Sequence, residues 1–144
     1  MKKRVSARAI IIEGNEVLTM FRRKKKEDGS YKEYYVIPGG GVEENETLEQ
    51  TCIRELKEEY TVDIKILGYL GSDERDTTIG HFFHAEIANG EPKLGGDEEK
   101  RNNPDNFYEI RKIELDKIDV IDIDAKDFIK KASKFEYVDY VKNR

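Results

Sequence analysis

The chain has 144 residues, 40% of them charged and 37% hydrophobic, with 26 basic against 31 acidic side chains and a net charge of −5. A chain of this size buries about 70% of its surface on folding, enough for a single domain over residues 1–144 with its own core, and its acidic balance argues against general nucleic-acid binding. There is no apolar stretch of about 18 residues, and Met1-Lys2-Lys3-Arg4 precedes an apolar run far too short for a signal peptide, so a cytoplasmic protein without a membrane partner is expected.

Residues 5–12 read as a strand, Glu13-Gly14-Asn15 as a turn and residues 16–21 as the partner strand of a hairpin. The run Arg22-Arg23-Lys24-Lys25-Lys26 and the following Glu27-Asp28-Gly29-Ser30 read as a polar loop. Arg22 and Arg23 stand nearest the strand end and are candidates to reach a phosphate, as is Arg8 within the first strand. Tyr35-Val36-Ile37-Pro38-Gly39-Gly40-Gly41-Val42 is an apolar run closed by a proline and three glycines, the pattern of a strand delivering the chain into a tight loop. A helix follows, because Thr47-Leu48-Glu49-Gln50 fits a capping box.

At about 100° per residue, that helix sends Leu48, Cys52, Ile53, Leu56 and Tyr60 into one arc that must face a core. Cys52, the only cysteine, excludes an internal disulfide and reads as a core residue. Glu55, Glu58 and Glu59 fall in the adjoining arc at i, i+3 and i+4. Two carboxylates about 6 Å apart repel by roughly 3 kcal/mol at an effective dielectric of about 20, a cost that a divalent cation removes. Oxygen ligands of this kind suit Mg²⁺, with Mn²⁺ as a possible substitute. Arg54, four residues before Glu58, is placed to pair with a carboxylate and orient it.

The spacing Gly40-x5-Glu46-x7-Arg54-Glu55-Leu56-x-Glu58-Glu59-x-Thr61-Val62 resembles the Nudix box, the signature of the Nudix hydrolases. The resemblance implies an α/β fold, an α/β/α sandwich around a mixed β-sheet, and Mg²⁺-assisted hydrolysis of a diphosphate joined to another group, usually in a nucleotide. By resemblance, Glu55 and Glu59 match metal ligands and Glu58 a ligand or base. The Gly39 carbonyl matches a backbone ligand and Arg54 the orienting arginine. Thr61 stands where the family has a glycine near the end of the box, and Asn45 replaces another frequent glycine. A β-branched residue adopts the left-handed helix-ending conformation poorly, so the helix is expected to end differently here.

Further on, residues 64–70 and 77–87 read as strands, with His81 and His84 three apart and therefore on opposite faces, unable to share a metal. Residues 89–105 form a long polar loop of the kind that is often functional. Its run Gly95-Gly96-Asp97-Glu98-Glu99 resembles a region that supplies an acid from outside the box in some Nudix enzymes. Glu98 is the candidate metal ligand or base, and Glu99 the fallback. Residues 107–113 read as a strand, and Phe128, Ile129, Ala132, Phe135 and Val138 give helical periodicity over residues 125–141. The expected substrate is a small-molecule nucleotide, foremost a nucleoside triphosphate, including an oxidised one. ADP-ribose, a nucleotide sugar and a dinucleoside polyphosphate are alternatives, the first disfavoured because no proline lies between Val62 and Pro92. A nucleotide-sensing domain that binds without cleaving is the non-enzymatic alternative. No stable nucleic-acid partner is expected, and the protein is expected to be a monomer or homodimer.

Overall fold

The computed structural model describes residues 2–139. Strands β1 (Arg4–Glu13) and β2 (Glu16–Lys25) form the expected hairpin around Gly14, whose φ of 62° suits a two-residue turn. Strand β2 continues through the basic run that its composition marked as loop. It is held there from both sides, by β3 (Tyr31–Val36) up to Lys25↔Tyr31 and by β7 (Asn106–Glu114) up to Lys24↔Asn106. Backbone pairing on two edges outweighs the polar side chains.

The remaining elements are β4 (Gly39–Gly41), α1 (Leu48–Tyr60), β5 (Asp63–Glu74), β6 (Thr78–Asn89), α2 (Gly96–Arg101), a 3₁₀ turn at Leu115–Val120 and α3 (Lys126–Ser133). The strands run β3-β2-β1-β6-β5, with β4 on β1 and β7 on β2. Strands β1 and β6 are parallel while the other named strand pairs are antiparallel, so the sheet is mixed. Alternation along β1 sorts the core into two layers. Ala7, Ala9 and Ile11 pack with Cys52, Leu56 and Tyr60 of α1, whereas Ile10 packs with Ile129 and Ala132 of α3. The result is the α/β/α sandwich. Among the described residues, no helix is long and apolar enough to cross a membrane.

Helix α1 begins with the capping box: the Gln50 amide donates to Thr47 Oγ1 at 3.1 Å and the Thr47 amide to Gln50 Oε1 at 2.8 Å. Its buried arc is rotated from the expected one. Ile53 is 44% exposed, while Thr51 and Glu55 are buried together with Cys52, Leu56 and Tyr60. On the wheel, burial therefore centres between Glu55, Glu59 and Cys52, which places acids inside the buried face and turns Ile53 out.

The helix closes at Thr61 in the left-handed region (φ 57°), and the Val62 amide reaches back to Leu56 O at 3.4 Å. Thr61 thus holds the family glycine's conformation rather than ending the helix differently, and Asn45, at φ 66°, does the same before Glu46. The Thr61 hydroxyl donates to Tyr60 O at 2.7 Å and stands 3.2 Å from Lys93 O. Helix α3 is shorter than the periodicity suggested. It ends at Ser133, Phe135 turns left-handed and is 66% exposed, and Val138 lies beyond the helix, its amide on Tyr69 O. Val141 lies outside the described residues. His81 and His84 occupy opposite faces of β6, each beside a different tyrosine hydroxyl: Tyr69 at 2.7 Å and Tyr137 at 2.8 Å.

The hydroxyl of Thr61 should offset part of its backbone strain. Thr61→Val keeps the strain and loses the hydroxyl's contacts, so it should cost about 1 kcal/mol, a fall of about 3 °C in Tm. Thr61→Gly relieves about 1 kcal/mol of strain but loses the hydroxyl and loosens the unfolded chain by a similar amount, so it should stay within about 1 kcal/mol of the parent. Thermal denaturation decides. A glycine variant far more stable than the parent would mean that the hydroxyl contributes nothing.

Candidate active site

The site starts where β4 pairs with β1, Gly40 opposite Ala7 and Gly39 opposite Arg8. Gly40 faces the Glu55 carboxylate so closely that a Cβ there would stand 2.5 Å from Glu55 Oε1. A side chain at this position would have to push the Glu55 carboxylate aside. Glu55 itself is 8% exposed.

Arg54 ties the acids to the loop. Its Nε and Nη2 donate to the two oxygens of Glu46 at 2.7 and 3.0 Å, its Nη1 to Glu55 at 3.0 Å, and Nη2 also to the Gly41 carbonyl at 3.0 Å. Its approach to Glu58 is longer, 3.4 Å, and the Glu58 side chain is 56% exposed. Arg54 therefore orients carboxylates as expected, with Glu46 as its principal partner in a bidentate geometry. Thr51 Oγ1 adds a 2.6 Å bond to Glu46. The bonds from Arg54 hold the Glu46 carboxyl down to about 2, and Glu46 in turn raises the Arg54 guanidinium. Glu46 is a defined position of the box spacing but was given no role of its own, and Thr51 was not singled out. Glu46 precedes the helix, so the wheel that grouped the other acids could not include it.

The segment after β6 supplies the third acid. Lys93 N donates to Tyr60 O at 2.9 Å and Gly95 N to Glu59 O at 3.0 Å, so the segment satisfies carbonyls left open at the end of α1. A Cβ on Gly95 would stand 2.9 Å from Glu58 O, which is why a glycine makes this approach. Helix α2 then starts inside what the sequence marked as loop and brings Glu98 beside Glu59. Of the α2 acids, Asp97 and Glu99 are exposed, whereas Glu98 is half-buried with Oε2 buried and without a hydrogen-bond partner. The Tyr60 hydroxyl is likewise buried without a hydrogen-bond partner.

Burial first, then contact with Glu55 and Glu98, pushes the Glu59 carboxyl up to about 9. Burial and the neighbouring carboxylates thus favour the neutral form of Glu59. Among the described residues no three acidic, histidine or cysteine side chains form a ready-made metal cage. Glu55, Glu59 and the orphaned Glu98 oxygen offer oxygen donors only, a lining whose chemistry fits a hard divalent cation.

The basic candidates separate. Arg8 is largely buried, desolvation lowering its pKa, and it lies within electrostatic reach of Glu55 and Glu59 while its Nη1 donates to Ile37 O at 2.8 Å. It also lines a cavity of about 210 Å³ with Arg4, Arg75, Phe82 and Asp124. Arg22 stacks over Tyr108 at 3.7 Å and bonds Asn106 at 2.8 Å. Arg23 projects to the other face of β2, 3.8 Å from Glu33 and over the Tyr31 ring, away from Arg22. Cys52 is buried and its thiol is pushed up to about 12, an inert core group.

The Glu59 shift sets a pH dependence. Between the ordinary value of 4.5 and about 9, the folded protein holds a proton that the unfolded chain has lost, so without divalent cations stability should fall as pH rises through that window. Glu46, held down to about 2, acts in the opposite sense: its contribution is present above 4.5 and is lost as pH falls toward 2. Melting temperatures scanned across pH should slope downward for the parent and flatten for Glu59→Gln. Added Mg²⁺ should raise Tm more near the top of the window than near its foot. An unchanged slope in Glu59→Gln would assign the proton to another group.

The NUDIX domain model matches residues 2–132. An ADP-ribose pyrophosphatase of Methanocaldococcus jannaschii is 32% identical over 99 residues, which are 65% of this chain and 56% of that protein. An 8-oxo-dGTP diphosphatase of Proteus vulgaris is 33% identical over 93 residues, 61% of this chain and 80% of that protein. The match thus spans little more than half the length of the first relative. Among solved structures, a NUDIX hydrolase from Nitrosomonas europaea superposes with a TM-score of 0.73 at 16% identity, over 97% of this chain and 95% of that one. A MutT NUDIX hydrolase from Burkholderia pseudomallei gives 0.62 at 21% identity, over 81% and 86%. These two likenesses concern the fold. Together with the family match over nearly the whole chain and the acid-bearing helix of the box, they show that the chain belongs to the Nudix family.

Proposed function

We infer that this Nudix protein hydrolyses a diphosphate linkage in a nucleoside diphosphate derivative, foremost a nucleoside triphosphate, including an oxidised one. The observation that carries this reading is the meeting of Glu55, Glu59 and the partnerless Glu98 oxygen in one mostly buried place. Glu55, Glu59 and Glu98, with the Gly39 carbonyl, would hold Mg²⁺, or Mn²⁺ in its place, and Glu58 stands at the outer edge of the group. When bound, such a cation neutralises the diphosphate and stabilises charge that develops on it.

The chain's own residues do the rest. Arg54 fixes Glu55 through a 3.0 Å bond and spends most of its donors on Glu46 and the Gly41 carbonyl, so it is a positioning residue. Glu98 is the better proton acceptor because its oxygen is unpaired beside the other acids, whereas Glu58 is more exposed and already faces Arg54. Arg8 and Arg22 are the cations available to the substrate's phosphates, Arg8 between the acids and the cavity, Arg22 beyond α2.

A panel of nucleoside triphosphates, nucleotide sugars, ADP-ribose and dinucleoside polyphosphates with Mg²⁺, scored for released phosphate and pyrophosphate, tests the reading. Glu59→Gln and Glu98→Gln should each lower turnover by at least about 10²-fold, and Glu99→Gln should be nearly silent. A shifted Mg²⁺ midpoint in Glu98→Gln would mark a ligand, and a lower plateau at the same midpoint a base. Tight binding of one compound with turnover of none would instead make the protein a nucleotide sensor.

A further inference from the structure

Strand β2 is flanked by β3 and β7, so its outer end forms a three-stranded surface with two sides. On one side the cross-strand rows read Tyr34–Arg22–Tyr108 and Lys32–Lys24–Asn106; on the other, Glu33–Arg23–Phe107 and Tyr31–Lys25. The charges are sorted between them. Arg23 meets Glu33 at 3.8 Å, and Lys25 lies 3.9 Å from Asp105, which also accepts from the Tyr31 hydroxyl at 3.0 Å. Neither row on the first side contains an acid. Lys24 and Lys32 stand directly opposite each other, a like-charge pairing that opposes the sheet, and among the described residues neither has a carboxylate within ion-pair distance. Lys32 lies over the Tyr34 ring at 5.0 Å and Arg22 within 5.9 Å of it, while Arg22 Nε is buried without a partner.

This side continues the core face of Leu18 and Met20 that packs with α1. It is joined to the acids through α2. Asn102, which ends that helix, bonds Tyr108 in both directions, Nδ2 to Tyr108 O at 3.0 Å and Oδ1 from Tyr108 N at 3.1 Å. Glu98 lies about one helical turn earlier.

We propose that this cationic, tyrosine-bearing side of the β2–β3 arm is a second substrate subsite, taking a further nucleotide unit joined through phosphate to the diphosphate held at the acids. Lys24, Lys32 and Arg22 meet its phosphates, and the Tyr34 ring offers a face for its base. The acidic net charge opposes a long polyanion and a three-cation surface does not overcome it, so the occupant is one further unit rather than an extended strand. The inference rests on the hydrolase reading above and extends its substrate class to those that carry two nucleosides.

The test compares adenosine triphosphate, diadenosine tetraphosphate and a 5′-triphosphorylated triadenylate on the full chain with Mg²⁺. The readout is kcat/KM where turnover occurs and calorimetric Kd where it does not, so failure of the hydrolase reading still leaves the subsite decided. The parent should favour the two longer probes. Lys24→Gln with Lys32→Gln, and separately Tyr34→Leu, should lower that preference by at least about tenfold, Tyr34→Phe should restore it, and Lys25→Gln on the opposite side should leave it in place. Which longer probe is preferred identifies the source of the second unit, and either outcome supports the subsite. No preference in the parent, equal losses for all three probes, or a Lys25→Gln effect equal to that of the double variant would overturn it.

Discussion

Glu55 and Glu59 lie one turn apart on a helix face that points into the protein, with Glu98 laid against them. Like charges at such spacing repel by roughly 3 kcal/mol even at an effective dielectric of about 20, and burial adds the loss of hydration. Two neighbours relieve part of this. Arg54 contributes a cation to Glu55, and the crowding raises Glu59 toward its neutral form. Because Arg54 is committed in bidentate fashion to Glu46, it holds position without neutralising the whole group, which leaves a negative potential that would favour a divalent cation under the proposed function. An arginine paired with Glu59 instead would satisfy the acids and compete with the cation.

The ends of α1 couple this electrostatic arrangement to the stability of the fold. At its start, the capping box of Thr47 and Gln50 fixes the helix just after Glu46, so the distance from Glu46 to Arg54 is set by backbone geometry rather than by flexible side chains. At its end, the amides of Lys93 and Gly95 bond the last carbonyls and the same segment carries Glu98 into place. Weakening that docking would expose helix carbonyls and withdraw an acid together.

Much of this was legible in the sequence, and the parts that were not share a cause. The motif from Gly40 to Val62, the capping box and the hairpin around Gly14 are local patterns, and the structure reproduces them. The buried arc of α1 was rotated because periodicity counts only apolar residues. Burial instead takes in Glu55 on one flank of the helix and leaves Ile53, on the other flank, exposed. Thr61 shows the converse, a local preference overridden: its β-branched side chain accepts the left-handed position because the hydroxyl finds backbone carbonyls there. Helix α2 was unreadable because six residues of glycine and charge carry no periodicity, and it stands through contacts with α1 and β7. That Glu98, not Glu99, turns inward follows from where the docking fixes the helix. The resemblance favoured Glu98; its own composition did not distinguish it from its neighbour.

The basic run of β2 carries the same lesson about charge. Read as a string, Arg22 to Lys26 is a solubilising segment within an acidic protein. Folded as a strand, it is divided by the two-residue alternation, and β3 and β7 contribute an acid or a salt-bridging neighbour to one side only. Net charge governs long-range approach, but a ligand a few ångströms away responds to the side it meets, since screening removes contributions beyond about 10 Å at ordinary salt. Arg22 and Arg23, adjacent and chemically identical, therefore have different prospects. Arg22 shares its side with Lys24, Lys32 and the approach to the acids, while Arg23 is already engaged by Glu33 and Tyr31. Strand geometry decides which arginine can serve a phosphate.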